Sequence, residues 1–164
     1  MNPGAAAADK AEVQRLVVYA YPQNCSLHFV LRVADAAQAR DFVAAIADKG
    51  WVTDASLDSA ALEALQKQGI CAANIGFTYQ GLKALGLHLP YLRVFQEKAP
   101  AFAEGAFPRA ARRLADTGRS AASWWEKRFW PERAHVLLSL HADDVRALDV
   151  FSGRLQQLRG ADGL

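Results

Sequence analysis

The sequence predicts an α+β fold: a ferredoxin-like antiparallel sheet with helices on one face and an enlarged second crossover. Three observations carry the prediction. Short apolar runs or alternations recur at distant points of the chain, around Cys25–Val33, Ile70–Phe77 and His135–His141. A helix-capping residue follows each run, where a hairpin would have a tight turn. The resulting order of strand, helix, strand, strand, helices, strand, helix is that of a βαββαβ unit.

The first strand alternates cleanly. Cys25, Leu27, Phe29, Leu31 and Val33 form an apolar face, and Ser26, His28, Val30 and Arg32 a semi-polar one. Leu16–Tyr19 reads as a short edge strand ended by Pro22 and Asn24. Asp35 with Gln38 three residues later makes a capping box, opening a helix with Phe42, Val43 and Ile46 as its stripe. Gly50 stands where that helix needs a left-handed residue, and Trp51–Thr53 follows as a short strand. Ser56–Gln68 is helix-compatible, ended by Gly69. Ile70–Phe77 reads as a strand and Thr78 caps the helix Tyr79–Leu85. Pro90, Pro100 and Pro108 divide the middle into short helices, because proline is tolerated in a first turn. Asp116–Gly118 ends the last of these, and a loop over Arg119–Arg133 carries Trp124, Trp125, Phe129 and Trp130. In the final strand Val136, Leu138 and Leu140 point inward, and Asp143 caps a helix with the stripe Leu148, Phe151, Leu155 and Leu158. The expected organisation is a tail over 1–12, one domain over 13–160 and a tail over 161–164.

Composition narrows the function classes. A net charge of +2 on 164 residues gives no electrostatic case for nucleic acid or a membrane surface. No apolar run approaches the ~18–20 residues that cross a bilayer. The alanine-rich start has no preceding basic residue and meets Asp9, Lys10 and Glu12 at once, unlike a secretory leader. Cys25 and Cys71 read as buried thiols, with pairing across neighbouring strands as the alternative, so a reducing, cytoplasmic setting is expected.

Site chemistry is sparse, and the residues alone predict no catalytic constellation and no metal site. His135 and His141 share a strand face but lie roughly 20 Å apart along it. His28 approaches one of them only if its strand is adjacent; surface or edge roles are expected for His28, His88, His135 and His141. Gly76, Gly81 and Gly86 do not have dinucleotide spacing, and there is no G-x-S-x-G elbow. Arg109, Arg112, Arg113 and Arg119 read as a solvated helix face, with anion or partner binding as the alternative. Trp124, Trp125, Phe129 and Trp130 read as a small core pinning their loop. The half-apolar outer sheet face, with Val30, Arg32, Leu137 and Ser139, is the candidate interface.

Four segments carry a resemblance. "NIGFTYQGLKALG" (Asn74–Gly86) resembles a strand-to-helix motif of dye-decolourising (DyP-type) haem peroxidases. "FAEGAFPRAARRLADTGRSAASWW" (Phe102–Trp125) is similar to that family's following segment through Phe102, Gly105, Arg109, Ala110, Leu114, Asp116, Gly118, Ser120 and Trp124. The opening from Glu12 and "HVLLSLHADD" match in the same order, covering about Val13 to Leu158. Ala106 and Ala115 depart from the family's methionine and glycine.

The resemblance is to the N-terminal half only. It implies that the catalytic G-x-x-D-G aspartate, the proximal histidine and the distal arginine lie in a second half. "RGADGL" at the end is not that motif, since Arg159 stands where its first glycine belongs, so Asp162 is not taken as the catalytic aspartate. The implied family activity is haem-dependent oxidation of dyes and other organic donors by hydrogen peroxide. This chain alone is expected to ligate no haem and to be inactive. Its outer sheet face would meet the haem-binding half or another copy. Two other readings stay open: a non-catalytic dimeric ferredoxin-like binding or assembly module, and a small haem-handling barrel with His28 or His141 as axial ligand.

Overall fold

The computed structural model describes residues 9–159, apart from residues 22, 59, 61, 62, 65, 66 and 68–71. Three strands form the sheet: β1 (Cys25–Leu31), β2 (Ala72–Phe77) and β3 (Val136–Ala142), in the order β1-β3-β2 with both pairings antiparallel. β3 is inserted between two strands that run the same way, a split βαβ arrangement. Six of the thirteen residues of the helix expected over Ser56–Gln68, together with Ile70, Cys71 and Asp162, lie outside the described residues.

The strand periodicity places the core. Leu27, Phe29 and Leu31 stand opposite Leu140, Leu138 and Val136, which in turn stand opposite Ala73, Ile75 and Phe77. This inward face is closed by α2 (Ala36–Asp48) through Ala39, Phe42 and Ile46, and by the C-terminal helix Val145–Arg159 through Leu148, Phe151 and Leu155. Leu138, Leu140, Ile46 and Phe151 are essentially inaccessible. Burying side chains of this size contributes roughly 1.5–3 kcal/mol each. The Asp35 cap forms as expected, accepting from the Gln38 N–H at 2.8 Å, and Gly50 has φ 64°.

Two expected short strands are not strands. Leu16–Tyr19 falls in a short helix, α1 (Arg15–Val18), and its C-terminal residue. The reason lies one residue earlier. The Gln14 side-chain amide donates to the Ile75 carbonyl at 2.8 Å and accepts from the Ile75 N–H at 2.9 Å. This side chain occupies the edge of β2 as a paired strand would, leaving no ladder there for the residues that follow. Trp51–Thr53 shrinks to one parallel bridge, Val52 to Ala73.

The long crossover contains α3 (Tyr79–Ala84), α4 (Leu89–Lys98), α5 (Pro100–Glu104) and α6 (Ala106–Arg113); the C-terminal helix is α7. Pro90 and Pro100 sit in first turns, where the missing N–H is not needed. Three short 3-10 turns then lead through the tryptophan loop to β3.

Candidate functional site

The outward face of the sheet is built in three rows across β1, β3 and β2. They are Ser26–His141–Ala72, His28–Ser139–Asn74 and Val30–Leu137–Gly76. The chain itself covers part of this face. Tyr21 stacks on the His141 ring with centroids 4.9 Å apart. The Tyr21 hydroxyl hydrogen-bonds with the Thr53 Oγ1 at 2.8 Å and donates to the Asn74 Oδ1 at 3.3 Å. Asn74, Thr53 and Ser139 are buried there. The remainder is open: Leu137, on the central strand, is 46% exposed beside a half-buried Val30 and the side-chain-free Gly76.

The four expected interface residues therefore divide. Val30 and Leu137 are directly paired across the ladder and share the open patch. Arg32 is exposed just beyond the end of β1, while Ser139 is buried, with its Oγ 2.8 Å from the His28 Nδ1. Adjacent strands bring His28 beside His141, the condition under which the two could meet, but sequence reasoning missed Tyr21 and Asn74 as their companions. Within this group the Asn74 Nδ2 and the His141 Nε2 are buried without a partner. Burial, followed by the nearby His28, pushes the His141 pKa down, so its ring favours the neutral form.

His135 is not a surface histidine. It is buried just before β3, and its Nδ1 accepts the Val33 N–H at 3.0 Å. Its N–H donates to the Leu31 carbonyl at 3.0 Å, and its carbonyl accepts the Thr78 N–H at 3.0 Å. One residue thus joins the ends of β1 and β2 to the start of β3.

A second concavity lies between β2, α5, α6 and the tryptophan loop. It is a groove of about 500 Å³ whose lining includes Phe77, Phe107, Arg109, Trp125 and Phe129. Arg109 is ion-paired with Glu104 at 3.7 Å, and Arg112 also bonds that carboxylate. Arg112, Arg113 and Arg119 are solvated as expected. Of the four residues expected to form a small core, Trp125 and Trp130 do so, packing edge-on against Phe107. Trp124, 75% exposed, and Phe129, 50% exposed, stand outside it.

Haem needs an axial donor at the wall of a cavity that holds the macrocycle. No histidine or cysteine lines the groove. The His28 and His141 rings lie side by side on one face, nearly perpendicular, with centroids 6.3 Å apart. Tyr21 covers the second, and the first is exposed on an open surface. Neither this groove nor the His28–His141 pair, taken alone, fits a haem. Among the described residues no group of three or more histidine, cysteine, aspartate or glutamate side chains is placed to hold a metal ion. Cys25 is a free, half-buried thiol, and β3 separates its strand from β2.

The split βαβ sheet, its one-sided helices and the long helical crossover define a ferredoxin-like α+β domain. The chain belongs to the family described as the DyP dimeric alpha+beta barrel domain, which it matches over residues 12–162. Among solved structures it is similar to a fungal DyP-type peroxidase from Auricularia auricula-judae. That match has a TM-score of 0.74 and 20% identity over 96% of this chain and 32% of the other. It is also similar to DyP2 from an Amycolatopsis species, with a TM-score of 0.70 and 22% identity over 95% and 32% of the two chains. An ancestral D-type dye-decolourising peroxidase gives a TM-score of 0.69 and 20% identity over 93% and 31%. The chain thus spans about a third of the length of these structures. No curated protein matches it.

Proposed function

We propose that this chain is the N-terminal domain of a DyP-type peroxidase, one ferredoxin-like unit over 13–160 that contributes scaffold and a docking face while a second half holds the haem. The activity of the whole is then peroxide-dependent oxidation of dyes and other organic donors, and this chain alone is inactive. The observation that carries the reading is Leu137. It lies on the central strand yet is 46% exposed, on a sheet whose other face is closed. With Val30 and Arg32 it forms the open part of the outer face; Ser139 supports that face from beneath through His28.

Two partners suit this face, the haem-binding half and a second copy. The family's description as a dimeric barrel domain favours self-association as the second reading, that of an assembly module without catalysis. The open patch carries no carboxylate, and copies of it do not repel through like charges apart from Arg32. Haem titration of the purified chain tests the first reading: no stoichiometric Soret band and no dye turnover with peroxide are expected. A band with turnover would refute it. Sedimentation of Leu137→Asp tests the face, since the variant should lose any association while keeping its circular dichroism. We place the domain in a reducing, cytoplasmic compartment, which the free Cys25 thiol supports. Thiol labelling in fresh cell extract should find that cysteine reduced. Among the described residues no helix is long and apolar enough to cross a membrane.

A further inference from the structure

We propose that the free edge of β1 is a strand-docking site filled by a second copy of this chain, with β1 pairing antiparallel to its own equivalent. This surface is distinct from the open sheet face, and the inference does not rest on the docking role of that face.

The phase of the ladders shows which backbone groups are left over. The Thr78 N–H donates to the His135 carbonyl at 3.0 Å, one pair beyond Phe77 opposite Val136 in the β2–β3 register. Odd-numbered residues of β3 therefore bond toward β2, and even-numbered ones toward β1. The partners of the even-numbered residues in β1 are Cys25, Leu27, Phe29 and Leu31. Ser26, His28 and Val30 turn their N–H and C=O groups the other way, to the edge. Among the described residues nothing hydrogen-bonds to them there.

The opposite edge of the sheet is closed. The Ala73 N–H donates to the Trp51 carbonyl at 3.0 Å, and the Gln14 amide engages both backbone groups of Ile75. β1 has no such cover. It also lacks the usual guards of an open edge, since Cys25–Leu31 contains no charged residue, proline or glycine. On the core face Cys25, Leu27 and Phe29 are only half-buried, whereas Leu138 and Leu140 on β3 are inaccessible.

A second copy fits because the strand is self-complementary. A two-fold axis at His28 sets Ser26 opposite the second copy's Val30, and His28 opposite its own equivalent. The three outward residues of each strand then pair with one another, and no shifted register achieves this. The same axis places Leu27 against the second copy's Phe29, so the apolar face continues across the junction. No charge in the strand opposes the pairing. One strand pair covers far less than the ~1,200 Å² of the smallest standard interfaces, so the association is weak and builds at near-millimolar concentration.

The test follows amide hydrogen exchange of the full chain by NMR, from micromolar to near-millimolar concentration. The Ser26, His28 and Val30 amides should become several-fold more protected at the upper end. Those of Ala73 and Ile75, already bonded, should not change. Ser26→Pro removes an outward N–H that the domain itself does not use, and should weaken the pairing about tenfold or more. Ser26→Lys, a charged guard at the same exposed position, should act likewise and serves should the proline variant not fold; Ser26→Ala should have no effect. Exchange independent of concentration, or protection that survives both Ser26→Pro and Ser26→Lys, would overturn the proposal. So would self-association that leaves these three amides unprotected, which would put the contact on the sheet face instead.

Discussion

Two helix ends in this domain use the glycine question in opposite ways. At the start of α3, Gly81 has ordinary helical backbone but no space for a side chain: a Cβ there would lie 2.0 Å from the His135 carbonyl oxygen and 2.7 Å from its carbon. After α6, Ala115 has space at an exposed position but holds φ at 55°, in the left-handed region. The first site needs glycine for room, and has it. The second favours glycine for its dihedral freedom, and carries alanine. A family-like motif is therefore kept where a backbone contact enforces it and lost where the penalty is mild.

Gly81→Ala gives the largest expected effect. The obstructing atoms are backbone, so they cannot swing aside as a side-chain tip would. To admit the methyl, α3 must lift from His135. That lengthens the bond from the Thr78 N–H to the His135 carbonyl, now 3.0 Å, and the bond from the Thr78 hydroxyl to the Ala134 carbonyl, now 2.8 Å. Alanine's better helix propensity returns only about 1 kcal/mol. A net loss of roughly 3 kcal/mol or more is expected, read as a fall in the urea midpoint. A midpoint within experimental error of the parent would show that the close approach is not what fixes this corner.

The same corner contains the second test. His135 accepts the Val33 N–H at Nδ1, which requires an unprotonated nitrogen. Burial, and after it the Arg32 charge, hold its pKa below the usual histidine value. The unfolded chain takes up a proton near pH 6.5, whereas the folded chain resists until the pH is lower. The unfolded state therefore binds more protons in that window, and stability rises with pH. The contribution is complete above about 6.5 and is lost as pH falls through the depressed folded value. His141, lowered by burial and by His28, acts in the same direction. His135→Ala leaves the buried Val33 N–H without its acceptor, a cost of about 1–3 kcal/mol. It should also flatten the dependence of the urea midpoint between pH 7.5 and 5.5. An unchanged slope would assign the acid sensitivity to His141 or to other groups.

Much of this arrangement is legible in the sequence. The inward faces of β1 and β3 follow from period-two alternation, and Asp35 and Thr78 announce their helices through local hydrogen bonds to residues three positions on. Edge elements were misread because their fate depends on distant partners: Gln14 reaches Ile75, sixty-one positions away. The polar group around Tyr21 was invisible for the same reason, since Thr53, Asn74 and His141 meet only in the folded chain. Alternation alone puts Ser139 on the outer face, and its burial goes with His28 and Asn74, which flank it from β1 and β2. Arg109 was read with its neighbours as a helix face, whereas the chain's return through Trp125 and Phe129 places it in a groove.

Ala115 supplies the smallest effect and a sign opposite to Gly81. The Leu114 and Asp116 N–H groups both donate to the Ala110 carbonyl, at 3.1 and 3.0 Å, so the turn's hydrogen bonds are in place without any help from the Ala115 methyl. Left-handed backbone costs a non-glycine residue about 1–2 kcal/mol. Glycine removes that strain but adds freedom to the unfolded chain, which takes back about 0.4–1 kcal/mol. Ala115→Gly should therefore stabilise the domain by about 0.5–1 kcal/mol, the difference between those terms. The urea midpoint should rise with no change in slope. A fall would mean that the methyl contributes packing the turn cannot spare, and that room and dihedral are not separable at this helix end as they are at Gly81.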